Sequence, residues 1–166
     1  LADIGWEIQT AWHNEIFGVD GNLGRENKSE VILQKYLLVA LENLNPGLPE
    51  SAYKDAYLQI AQREADKTLD RTNKEKYQLI KSGVKVSFTN DKGELTKQTL
   101  KVFDFNNPDN NHFLAVRQLE VTGDLYNRRP DVVGFVNGIP LVFFELKAHT
   151  RDLRHAYDDN LKDYKD

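Results

Sequence analysis

An α/β (α+β) domain, a mixed sheet flanked by helices, is what this chain predicts, and three observations predict it. Apolar residues recur at helical spacing through the first half, strict alternation begins at Val84, and a helical pattern returns from Arg151 to Tyr164. The first helix follows from Val31, Leu33, Tyr36, Leu37, Ala40, Leu41 and Leu44, with Asn27 or Ser29 as caps and Pro46 beyond its end. A second helix starts after Pro49, where Ser51 can cap and Ala52, Tyr53, Ala56, Tyr57 and Ile60 form a stripe. A shorter one runs from Lys74 to Lys81 and stops before Gly83. Val84, Val86 and Phe88 then alternate, residues 90–93 (Asn-Asp-Lys-Gly) turn the chain, and Leu100, Val102 and Phe103 belong to the returning strand. After a polar loop, residues 113–121 read as a further strand. Residues 132–136 and 139–146, joined by Asn137-Gly138, form a final hairpin, apolar on both faces as central strands are.

At 166 residues, 40% hydrophobic and 29% charged, the chain suits one domain, residues 1–166, with a real core. No apolar stretch approaches the ~20 residues that span a bilayer, and no basic-then-apolar leader opens the chain. Cysteine is absent, which excludes disulfides, thiolate metal sites and cysteine nucleophiles and fits a cytoplasmic protein. A net charge of -4 argues against a free-standing nucleic-acid binder, and the basic residues near the C-terminus are offset by Asp152, Asp158, Asp159, Asp163 and Asp166. Methionine is absent too, which reads as a piece of a longer polypeptide or as loss of modified methionines; the latter would shift some spacings by one.

The chemistry concentrates at Pro130-Asp131 and at Glu145-Leu146-Lys147, where an apolar run from Leu141 to Phe144 ends in a carboxylate and an ammonium. A buried strand rarely ends in charge without a partner or a metal, because desolvation costs several kcal/mol. Glu145 and Lys147 are two apart and share a strand face, while Leu146 points the other way. Two carboxylates can hold a hard cation through oxygen, the Leu146 carbonyl can add a ligand, and a lysine can orient a water: the parts of a magnesium-dependent phosphodiesterase. Asp131 must face the same way, and the hairpin constrains this. A regular two-residue turn at Asn137-Gly138 would pair Val136 with Ile139 and Asp131 with Phe144, turning Glu145 to the opposite face. The site therefore requires either a three-residue loop, which sets Asp131 opposite Phe143, or a β-bulge. From these residues alone, a non-catalytic docking or DNA-binding module stays open beside the phosphodiesterase. His13, His112, His149 and His155 lack metal-ligand spacing, and no Gly-x-Ser-x-Gly elbow accompanies them.

This pattern resembles the PD-(D/E)XK nuclease superfamily. The string RRPDVVGFVNGIPLVFFELK, residues 128–147, and the stretch from Gly24 to Pro46, with its GREN, are similar to the N-terminal nuclease domain of the restriction subunit of type I restriction-modification enzymes. The resemblance implies a restriction-endonuclease-like fold and Mg²⁺-dependent cleavage of double-stranded DNA, with Mn²⁺ able to substitute. It makes Asp131 and Glu145 metal ligands and Lys147 the catalytic lysine. Glu30, placed on the first helix, matches an acidic residue that the superfamily often adds to the metal site, although it reads equally as a first-turn partner of the helix dipole. Related nucleases carry Gln-x-x-x-Tyr on the next helix; here the positions are Asn160 and Tyr164, and the shorter Asn puts that DNA contact in doubt. Arg129, Arg151 and Arg154 are candidates for phosphate. The resemblance also implies modification and specificity subunits as partners, and an ATP-driven translocase further along the polypeptide. This chain has no Gly-x-x-x-x-Gly-Lys loop, so ATP would act only through that motor. The nearest alternative is a nuclease of this superfamily from another restriction or repair system.

Overall fold

The computed structural model describes residues 1–62, 68–90, 92–123 and 126–146. A short 3₁₀ turn at Ala2–Ile4 leads into β1 (Glu7–Thr10); three helices follow, α1 (Gln34–Leu44), α2 (Glu50–Ala61) and α3 (Leu69–Ser82). Then come β2 (Val84–Thr89), β3 (Leu95–Leu100), β4 (Phe113–Arg117), β5 (Val121–Thr122), β6 (Asn127–Arg128), β7 (Val132–Val136) and β8 (Ile139–Phe144). The main sheet has the order β1-β4-β7-β8, and it is mixed because β1 runs parallel to β4 while β4, β7 and β8 alternate in direction. Hairpins β2-β3 and β5-β6 form two separate two-stranded sheets.

The α+β expectation holds, with corrections to single elements. The first helix begins at Gln34 rather than near Asn27, because Asn27 turns its side chain onto the N–H of Ser29 (2.9 Å) and the Leu33 N–H bonds to the carbonyl of Gly138 (2.9 Å). Residues 26–33 are thereby spent on loop and sheet contacts, and Glu30 lies outside the helix. The third helix starts five residues earlier than Lys74, with Thr68 accepting from the Arg71 N–H at its N-terminus. The returning strand of the first hairpin stops at Leu100, although Val102 and Phe103 beyond it are buried. The strand from Phe113 ends at Arg117, since Gln118 takes a positive φ of 53°. β8 is not a buried central strand: it is the last strand of the sheet among the described residues, and Leu141, Val142, Phe143 and Phe144 are exposed. β1 was not anticipated, because its four residues show no alternation. The proposed helix from Arg151 to Tyr164 lies outside the described residues.

Two buried clusters position the sheet. In one, Leu37 and Leu41 of α1, the stripe Ala52, Tyr53, Ala56 and Ile60 of α2, and Val84, Val86 and Leu100 of the β2-β3 hairpin meet Ile139. In the other, Leu23 and Leu33 pack against Leu114 and Val116 of β4 and Val133 and Phe135 of β7. Burial of each such side chain is worth about 1.5–3 kcal/mol. Because α1 enters on Leu33 and contributes Leu37 to the first cluster, it ties the two clusters together beside the β7-β8 turn.

Candidate functional site

The hairpin turn is a two-residue one. Asn137 (φ 51°) and Gly138 (φ 78°) both take the left-handed conformation that such tight turns require, and Val136 pairs with Ile139. Asn137 is held there by its own buried amide, whose oxygen accepts from the His112 N–H (2.8 Å) and whose nitrogen donates to the Val102 carbonyl (2.8 Å). The register then slips. Phe135 pairs with Pro140 but Gly134 pairs with Val142, so Leu141 is an extra residue in β8, a β-bulge. From there Val133 pairs with Phe143 and Val132 with Phe144. Continuing by one residue sets Asp131 opposite Glu145, and directly opposite residues share a face. Of the two devices that the sequence left open, the bulge is the one found and the three-residue loop is not.

Asp131 is half-buried behind the buried Pro130, and its carboxylate is held at both oxygens. The Gln118 side chain donates from Nε2 to Oδ1 (2.8 Å), and the Leu146 main-chain N–H donates to Oδ2 (2.7 Å). The Gln118 main-chain N–H also donates to the Asp131 carbonyl (3.0 Å). The bond from Leu146 shows independently of the pairing that the end of β8 reaches Asp131. Each carboxylate oxygen can accept more than one hydrogen bond or ligand, so both still have capacity. Asp131, Glu145 and the Leu146 carbonyl are hard oxygen donors, and Mg²⁺ is commonly held by one or two carboxylates while keeping several waters, so the donor set fits that cation.

Glu30 is not brought into this group. Its carboxylate accepts from the Glu26 N–H (3.0 Å) instead. Among the described residues no three or more His, Asp or Glu stand together in a way that could hold a metal ion. Lys147, Arg151, Arg154, Asn160 and Tyr164 lie outside the described residues. Arg129 stacks over Trp12, its guanidinium carbon 4.0 Å from the ring centroid, and Trp12 stacks in turn on His13 at 4.4 Å.

Gln118, the partner of Asp131, also lines a cavity of about 290 Å³ together with Trp12, His13, Lys28 and Glu120. A neighbouring cavity of about 270 Å³ shares Lys28 and Glu120 and adds Thr122, Asn127, Arg128 and Arg129. The ion pair between Lys28 and Glu120 joins the two. That pair holds the Glu120 carboxyl below its usual range, chiefly through the Lys28 hydrogen bond. The sequence reading missed Gln118 and Trp12. A lone Gln ending a strand and a lone Trp near the N-terminus carry no spacing signal; only the folded arrangement puts them beside Asp131 and Arg129.

The family model described as type I restriction enzyme R protein N terminus matches residues 1–166. The type I restriction enzyme HindI endonuclease subunit of Haemophilus influenzae is 36% identical over the whole of this chain, which spans 16% of that relative. The putative type I restriction enzyme MjaIXP endonuclease subunit of Methanocaldococcus jannaschii is 32% identical over 86% of this chain, covering 14% of that relative. The chain thus spans about a sixth or less of the length of these two relatives.

Proposed function

Because the chain belongs to the family of type I restriction enzyme R protein N termini, we propose that it is the nuclease domain of a restriction subunit, cutting double-stranded DNA with Mg²⁺. The observation that supports this reading is the bulge at Leu141, after which the register runs Val133 to Phe143 and Val132 to Phe144, so that continuing it by one residue would bring Asp131 and Glu145 to one face. Asp131 and Glu145 would hold the cation, with help from the Leu146 carbonyl. When bound, Mg²⁺ supplies Lewis-acid polarisation of the phosphate and acidifies a water. Lys147, two residues beyond Glu145, would orient the attacking water and offer positive charge to the phosphate as its charge builds. Arg129, fixed on Trp12, grips a neighbouring phosphate. Such phosphate contacts carry no sequence information, so site choice falls to specificity and modification subunits and ATP use to a motor elsewhere in the assembly.

The test is nicking of supercoiled plasmid in Mg²⁺ by the wild type, Asp131→Ala and Glu145→Ala, with metal uptake followed by calorimetry on the same samples. Each variant is expected to lose metal uptake and at least ~100-fold in nicking rate, about 2.7 kcal/mol of barrier. Nicking or metal uptake equal in all three proteins would defeat the reading. Metal uptake confined to the wild type, without nicking, would keep the site and assign cleavage to the full assembly.

A further inference from the structure

We infer that Gln118 is a positioning residue for Asp131, fixing the orientation of a carboxylate that the cation requires; the inference rests on the nuclease reading above. Gln118 directly follows β4 and takes a φ of 53°. Among the described residues only His13 and Asn137 share a positive φ without being glycine. Asn137 sits in a tight turn that favours asparagine, but glutamine has no such preference, and this conformation strains its backbone.

The strained backbone aims two donors at one residue. The main-chain N–H of Gln118 reaches the Asp131 carbonyl (3.0 Å) and its Nε2 reaches Oδ1 (2.8 Å). Glycine would satisfy the backbone bond without strain, so the turn by itself does not call for glutamine. What glutamine adds is the bond to Oδ1. With the Leu146 N–H on Oδ2 (2.7 Å), the carboxylate is fixed from the β4 side and the β8 side at once. An amide is a suitable holder because it is neutral. A lysine or arginine in its place would orient Asp131 equally well but would cancel the negative charge that attracts a cation.

Two variants separate this role from a purely structural one. Gln118→Gly relieves the positive φ and removes the side-chain donor; Gln118→Met keeps the side-chain length and the main-chain bond but cannot donate. Mg²⁺ affinity is read by calorimetry, and the melting temperature on the same samples. Loss of an outer-shell partner of a metal ligand commonly weakens metal binding about 10- to 100-fold. Both variants are therefore expected to bind Mg²⁺ at least about tenfold more weakly, with Gln118→Gly melting no lower than the wild type. In an Asp131→Ala background, Gln118→Gly should change metal binding no further. Wild-type affinity in either folded variant would overturn the inference while leaving the nuclease reading intact. Failure of the wild type itself to bind Mg²⁺, or binding indifferent to Asp131→Ala, would overturn the reading beneath it.

Discussion

Arg25 is 0% exposed, and the side chain it pairs with, Glu15, is nearly so. Its Nε and Nη2 donate to the two Glu15 carboxylate oxygens (both 2.7 Å), and its remaining donors reach the carbonyls of Glu30 (3.0 Å) and Glu120 (3.1 Å). One guanidinium thus ties together the loop around Glu15, the segment before α1 and the chain just beyond Gln118. A buried pair of this kind contributes little net stability when formed but leaves an uncompensated charge when halved. Arg25→Ala should cost about 3–5 kcal/mol in urea denaturation, and the Glu15→Ala, Arg25→Ala double variant should cost less than the two single losses added. Nothing in the sequence marks this, since an Arg ten residues from a Glu is ordinary surface spacing.

At the same scale, four carboxyls among the described residues are held below their usual range: Glu7 by the Gln9 amide and then His112, Glu50 by Lys54, Asp104 by the Asn110 amide and the Asn107 N–H, and Glu120 by Lys28. A depressed carboxyl stabilises the fold above its unfolded value, near pH 4, and that contribution disappears as the pH falls through its lowered folded value. Melting temperature should accordingly be level from neutral pH to about pH 5 and fall below that. Glu7→Gln with Asp104→Asn, which cannot titrate, should make the fall shallower; an unchanged slope would mean that other groups govern it.

At the scale of elements, the β7-β8 hairpin decides the site. Its existence was legible because Asn137-Gly138 between two apolar runs is a strong turn signal, and the need for an odd residue followed from Asp131 and Glu145 alone. Which device supplies that residue was not legible. The two-residue turn is fixed by Asn137 bonds to Val102 and His112, and these partners lie 35 and 25 residues away. Gly138 also meets α1 closely: a β-carbon there would stand 2.6 Å from the Leu33 oxygen and 2.8 Å from the Leu37 nitrogen, on a backbone with φ 78°. Gly138→Ala should destabilise by about 2 kcal/mol or more in denaturant unfolding, through strain and a clash with main chain that cannot move aside.

Removing Leu141 gives a sharper test of what the bulge is for. The deletion abolishes the unpaired residue but leaves Val142 opposite Gly134 and the pairs through Val132 and Phe144 as they are, so the register that runs on to Asp131 and Glu145 is unchanged. Metal uptake is expected to survive it. Loss of uptake in a deletion variant that still folds would mean that the bulge geometry, rather than the pairing, builds the site. The helix boundary was less readable than the hairpin. Periodicity located the buried face of α1, but its start is set by a hydrogen bond from Leu33 to Gly138, over a hundred residues along the chain.

At the scale of the whole molecule, the change of period at Val84 and the helical stripes before it gave the α+β class directly. The sheet order was not legible, since β1 pairs with β4 across more than a hundred residues and shows no alternation to announce it. The exposure of β8 was missed for a related reason: an apolar run reports what a strand can pack against, not which edge of a sheet it occupies. Among the described residues no helix is long and apolar enough to cross a membrane. The segments that carry the two motif carboxylates come together, as the bond from the Leu146 N–H to Asp131 shows, because a tight turn, a bulge and a two-cluster core bring the ends of β7 and β8 to one place.

The most direct test is Mn²⁺-induced broadening of backbone amide signals, which falls steeply with distance from the ion. Broadening is expected to centre on Asp131, Val132, Glu145 and Leu146, with Gln118 next, and to be lost in Asp131→Ala. Broadening centred on Glu26 to Glu30 or on Glu7 and His112, or a pattern indifferent to Asp131→Ala, would contradict this expectation.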